Sequence, residues 1–206
     1  MTAVAPRLRT VTTALRRSSA YPTRQFSSSL RAFESSSTKD PNHPHLWYHP
    51  LADSVPPRIA LSFLPDPPVF GSRTILGYLP ATQPTGLSDF KEEHRFLGIV
   101  HEAIKSGLEQ GKAETVAFEA STRPGDGYIH ITDERAVPPA GRIGETEDLI
   151  GSVFVQEGKV VASTYEPFPA YRLLTSNGPL VLPRGLDTHL VERLKAIDAG
   201  EKAEKK

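Results

Sequence analysis

Between Gly125 and Arg135 a turn, a short apolar run and a cluster of ionisable side chains coincide: His130, Asp133 and Glu134 fall within five consecutive positions. An imidazole and a carboxylate within hydrogen-bond reach can serve as general base and orienting group, or as two ligands of a metal. These three residues are therefore the candidate catalytic set of a small hydrolase or metal-assisted enzyme. If 128–132 is a strand, His130 shares one face with Tyr128 and Thr132, and Ile129 and Ile131 share the other. With the isoleucines facing the core, His130 faces outward or into a cleft. The plainer alternative, which is the default, is that 132–135 solvate the end of a strand and His130 is a surface residue.

Three further groupings could carry chemistry. Arg123, Arg135 and Arg142 flank the same hairpin and could bind a small acidic metabolite. Tyr165, Phe168 and Tyr171, spaced by Pro167 and Pro169 and followed by Arg172, could present aromatic contacts to a partner or cover their own sheet. His43, His45 and His49 surround the only tryptophan, but no carboxylate or cysteine completes a ligand set, so no metal is assigned and Trp47 and Tyr48 are read as anchors on the core. His94 and His101 lie on one side of a helix but about 10 Å apart along its axis, too far to share a metal. Gly125, Gly127, Gly141 and Gly144 are too scattered for a phosphate-cradling loop, and Gly151-Ser152 sits inside an apolar strand, not on a nucleophile elbow. No cofactor is expected.

The elements that must position these residues follow from pattern. Residues 58–64 and 74–79, bounded by prolines, read as strands. Ser88 or Asp89, with Glu92 at capping-box spacing, opens a helix whose face carries Phe90, Leu97, Val100, Ile104 and Leu108. From Glu114 the period changes to two, with Val116 and Phe118 alternating with polar residues, so 114–119 reads as a strand whose partner is 128–132. Residues 133–146 read as a surface loop. Residues 149–155 and 159–161 form a hairpin about Glu157-Gly158, and Asn177-Gly178 turns a second one. Leu186, Leu190, Val191, Leu194 and Ile197 mark a closing helix, ended by Gly200 and a charged tail.

Composition bounds the rest. The chain has 206 residues, 38% of them hydrophobic, enough for one domain with a real core. Nineteen prolines, well above average usage, favour short elements and extended connections over a helix bundle. The absence of cysteine removes disulfides, thiolate metal sites and cysteine nucleophiles. No apolar run reaches the length of a membrane span. Net charge is zero, but residues 1–33 carry six arginines and no acid, which leaves 18 basic against 24 acidic residues in the body. An acidic body argues against nucleic-acid binding.

The arginine-, serine- and alanine-rich segment 1–33 resembles a mitochondrial presequence. Arg24 two residues before Phe26, and Ser29 three after it, resemble the two-step cleavage pattern of octapeptide-type presequences, which implies a mature start near Glu34. The body resembles small uncharacterised mitochondrial proteins of fungi. That resemblance rests on Asp126-Gly127-Tyr128-Ile129-His130-Ile131, on Gly141-Arg142-Ile143-Gly144 with Glu147-Asp148-Leu149-Ile150-Gly151-Ser152, and on Tyr165-Glu166-Pro167-Phe168-Pro169 with Tyr171-Arg172. It implies localisation and a single domain, with no catalytic residue to carry over. The expected organisation is a presequence over 1–33, an extended lead-in without helix or sheet of its own over 34–57, one domain over 58–199 and a tail over 200–206. The expected fold is α+β: a largely antiparallel sheet of about five to seven strands with two amphipathic helices on one face. The expected function is that of a matrix accessory or assembly protein that binds another mitochondrial protein, with the small hydrolase as the alternative.

Overall fold

Strands alternate with helices in an α+β arrangement, seen in a computed structural model that describes residues 36–51, 54–81, 85–139, 142 and 144–205. The segment read as a presequence lies outside the described residues. Five antiparallel strands form the first sheet in sequence order: β1 (Thr38–Lys39), β2 (Trp47–Leu51), β3 (Arg58–Ser62), β4 (Ile75–Pro80) and β5 (Lys91–Glu92). After α1 (His94–Glu109) and α2 (Glu114–Thr122) comes a second antiparallel sheet, β6 (Gly127–Thr132), β7 (Leu149–Gln156) and β8 (Lys159–Pro167). A small hairpin, β9 (Leu174–Thr175) with β10 (Gly178–Pro179), precedes α3 (Leu186–Glu204).

The helix α1 ties the two sheets together. Phe96, Val100, Ala103, Ile104, Gly107 and Leu108 recur at three- to four-residue intervals and are buried on one face. They join one core with Leu61 and Leu76 of the first sheet, Ile129, Ile150 and Val153 of the second, and Leu186, Leu190 and Leu194 of α3. At Gly107 α3 comes close: a Cβ there would stand 2.5 Å from a Leu186 methyl carbon.

Several expectations are corrected, each for a local physical reason. The lead-in 34–57 is not free of sheet structure, because β2 pairs along its full length with β3 and contributes buried His49. The helix does not start at Ser88 or Asp89. The Asp89 carboxylate instead accepts a bond from the Gly86 amide, closing a single 3-10 turn, and Phe90 then lies over Gly77 where any Cβ would collide with its ring. That contact holds Lys91 and Glu92 extended against β4, and Glu93 becomes the cap, its carboxylate accepting from the Arg95 amide. Residues 114–122 are helical, not a strand: Val116 and Ala120, four apart, are buried while Phe118 is 71% exposed. Alanine and glutamate content outweighs a two-residue alternation only six residues long. The partner of β6 is consequently β7. The helix α3 runs through Gly200 to Glu204. The supposed tail is anchored where Glu201 accepts from the Arg73 amide and guanidinium and Lys205 donates to the Phe70 carbonyl.

Candidate functional site

A cleft of about 510 Å³ runs beside β6. α2 and its C-cap supply Thr115, Val116, Glu119 and Arg123 to its lining, and Glu134, Val137, Pro138, Arg142 and Pro183 also line it. Both faces of β6 border it, Ile129 and Ile131 as well as His130 and Thr132, because β6 is an edge strand with its backbone turned to the opening.

The direction of the β6 amides follows from two contacts. The Phe154 amide donates 2.8 Å to the Thr164 hydroxyl on β8, so Phe154 points away from β6. Its cross-strand neighbour Tyr128 must then make a non-hydrogen-bonded pair with it and turn its own amide and carbonyl to the open side. In agreement, the Tyr128 carbonyl accepts a 2.8 Å bond from Arg123, which lines the cleft. Two residues on, His130 faces the same way. Among the described residues nothing bonds to its backbone from that side. A register shift then separates Ile131 from Thr132.

Of the candidate catalytic set, the structure places His130 and Glu134 on the cleft, both exposed. The His130 ring lies 5.4 Å from that of Phe168. Glu134 accepts a 3.4 Å bond from the Arg184 amide. Asp133 borders the same cleft but is fully buried and engaged on both oxygens. One accepts from the amides of Arg135 and Val181, the other from the Tyr171 hydroxyl at 2.8 Å. Burial holds its carboxyl above the usual aspartate range in spite of the Arg135 guanidinium beside it. With three bonds made inside the protein and its side chain buried while that of His130 is exposed, Asp133 does not orient that imidazole. The expectation that 133–146 is wholly a surface loop fails at its start for the same reason.

Arg135 is the most fully bonded side chain of the group. Its Nε donates 2.7 Å to Asp148, one terminal nitrogen donates to the carbonyls of Leu173 and Gly178, and the other to those of Glu147 and Arg172. That uses all five guanidinium hydrogens. Its side chain is 2% exposed and lies over the Tyr171 ring. Asp148, its chief partner, also accepts from Asn177 at 2.8 Å. This node clamps the end of β6, the start of β7 and the β9–β10 hairpin. Arg135 is therefore not available to bind an anion, whereas Arg123 and Arg142 remain at the cleft. Sequence reasoning missed Asp148 as a functional partner of the stretch. The only signal was an acid just before an apolar strand, which exposed loops share.

The aromatic trio divides. Tyr165 and Tyr171 are buried, so they are closed to a partner and cover their own sheet, while Phe168 is half-buried against His130. Burial raises the pKa of Tyr165 and lowers that of His101, and the Tyr165 hydroxyl and His101 Nδ1 share a 2.9 Å hydrogen bond. The three N-terminal histidines are also structural. His43 Nδ1 accepts from the amides of His45 and Leu46 while its Nε2 donates to the Leu180 carbonyl. His49 bridges the Ser37 hydroxyl and the Leu64 carbonyl, and His45 lies 3.5 Å from Asp187. Among the described residues no group of three or more histidines and acids is placed to hold a metal, and no helix is long and apolar enough to cross a membrane.

No protein-family model, curated protein or solved structure matches the chain.

Proposed function

We propose that the protein is a mitochondrial matrix accessory or assembly factor that binds another mitochondrial protein at the β6 cleft. The observation that carries this reading is the cleft itself. It is open, bordered by apolar Val137 and Pro138 and by opposed charges, Arg123 with Glu119 and Arg142 with Glu134. A surface of that kind complements protein better than it complements a single small ion. The test is capture from matrix extract with the mature chain and with Val137→Asp, which puts a charge in the cleft. A partner retained in stoichiometric amount by the first and lost by the second supports the reading. A protein that elutes alone at monomer size sinks it. The location is tested separately by import into isolated mitochondria, with a processed form starting near Glu34 expected; an unprocessed, protease-sensitive chain argues against it.

A second reading keeps the hydrolase in reduced form, because His130 and Glu134 share the cleft. It requires a general base without the Asp133 orienter. Esterase and phosphatase substrate panels turned over by the protein and not by His130→Ala would support it; equal background rates remove it.

A further inference from the structure

We infer that the occupant of the cleft is an extended polypeptide segment of the partner, which pairs with β6 as a fourth strand of the second sheet; this rests on the binding reading above. The outward amide and carbonyl of His130 and the outward amide of Tyr128 are backbone groups whose natural complement is another backbone. Proteins usually blunt such edges. The first sheet does so here, since both of its outer strands, β1 and β5, are two residues long. By contrast β6 has six residues, and its only described cover is Arg123 on the Tyr128 carbonyl at one end.

The surroundings of the edge favour a single strand over a second copy of this chain. Because α2, Val137, Pro138 and Pro183 line the cleft along with β6, a second copy pairing edge to edge would bring its own α2 and the same residues against them, whereas one extended segment brings none. Side chains of the added strand would alternate. One set would enter between Val116, Ile131 and Leu149, which asks for apolar residues at every second position; the other would lie beside Tyr128 and His130. Recognition is then mainly of backbone, with modest sequence demands made by the apolar floor.

The experiment uses random ten-residue peptides displayed and selected against the full chain, with binders to Val137→Asp discarded. One selected peptide is then resynthesised with a single N-methyl group at each residue in turn, and amide exchange at His130 is followed by NMR with and without it. Strand addition predicts an affinity loss of tenfold or more at alternate residues, less than twofold between them, and exchange at His130 slowed at least tenfold in the complex. A peptide that binds the cleft without the two-residue alternation, or without slowing His130, overturns strand addition and leaves the binding reading standing. A library that yields no cleft-binding peptide also overturns it, because backbone-directed recognition tolerates many sequences. A concentration-dependent dimer in which His130 is already protected replaces the partner segment with a second copy. If no peptide and no matrix protein binds, both readings fall together.

Discussion

Arg135 and His130 stand five positions apart in the chain and illustrate opposite uses of polar groups. Around Arg135 every guanidinium hydrogen, both Asp133 oxygens and the Tyr171 hydroxyl have partners inside the protein. Around His130 the side chain is exposed and the backbone faces an open cleft. Saturation marks the node as scaffold: it fixes where β6 ends and where the β9–β10 hairpin docks. Groups left unpaired mark the strand edge as the place where something else can bind. Ionisable residues alone do not separate the two cases, since the buried node holds more of them than the cleft centre does.

The largest expected effect comes from breaking the node. Arg135→Met leaves Asp133 and Asp148 buried without their cation and several carbonyls without a donor, a loss of about 3–5 kcal/mol. Urea denaturation measures it, and a loss below about 1 kcal/mol would show that the node is not what holds these segments. Tyr171→Phe is the milder version. Asp133 keeps both backbone donors, so the expected cost is about 1–2 kcal/mol.

Acid provides an intermediate test of the same scaffold. Burial lowers the pKa of His43, His49, His101 and His189, so the unfolded chain takes up protons first and stability is lost as pH falls from about 6.5. For His43 the bonds add to burial, since a second ring proton would displace the backbone amides from which Nδ1 accepts. Each histidine contributes at most about 1.4 kcal/mol per pH unit. Asp133 acts in the opposite sense: its raised carboxyl protonates sooner in the folded state, so its contribution grows as pH falls toward the unfolded aspartate range near 4. A thermal midpoint that drops between pH 7 and 5.5 is expected. A midpoint that is flat or rises over that first interval contradicts the neutral-histidine account.

How much of this could be read beforehand depended on whether a signal was local. The strands around Ile59, Ile75, Ile129 and Val153, the β7–β8 hairpin and the apolar face of α1 all declared themselves by period and bounding prolines or glycines, while the second hairpin turns one residue earlier than expected, at Ser176-Asn177. The stretch 114–122 did not, because Val116 and Phe118 mimic alternation and only tertiary packing shows that Phe118 points to solvent. The placement of His130 outward and Ile129 and Ile131 inward was legible from strand geometry. The fate of Asp133 and Arg135 was not, because their partners Asp148, Tyr171, Leu173 and Val181 come from segments 13 to 48 residues away. Long-range saturation of a polar side chain leaves no trace in its own neighbourhood.

Substitutions in the cleft should do least to stability, and that smallness is itself the sharpest contrast with the node. His130→Ala removes one ring contact with Phe168, and Val137→Asp alters a residue that is 74% exposed, so each is expected to move stability by no more than about 0.5 kcal/mol. Arg142, exposed at the cleft rim, should tolerate reversal to glutamate equally well. If these variants instead lose about 2 kcal/mol or more in the same urea titration, the cleft is part of the scaffold and the distinction between a closed node and an open edge collapses. If they leave stability intact while abolishing partner retention, the outward backbone of β6 at His130 has a use that folding does not account for.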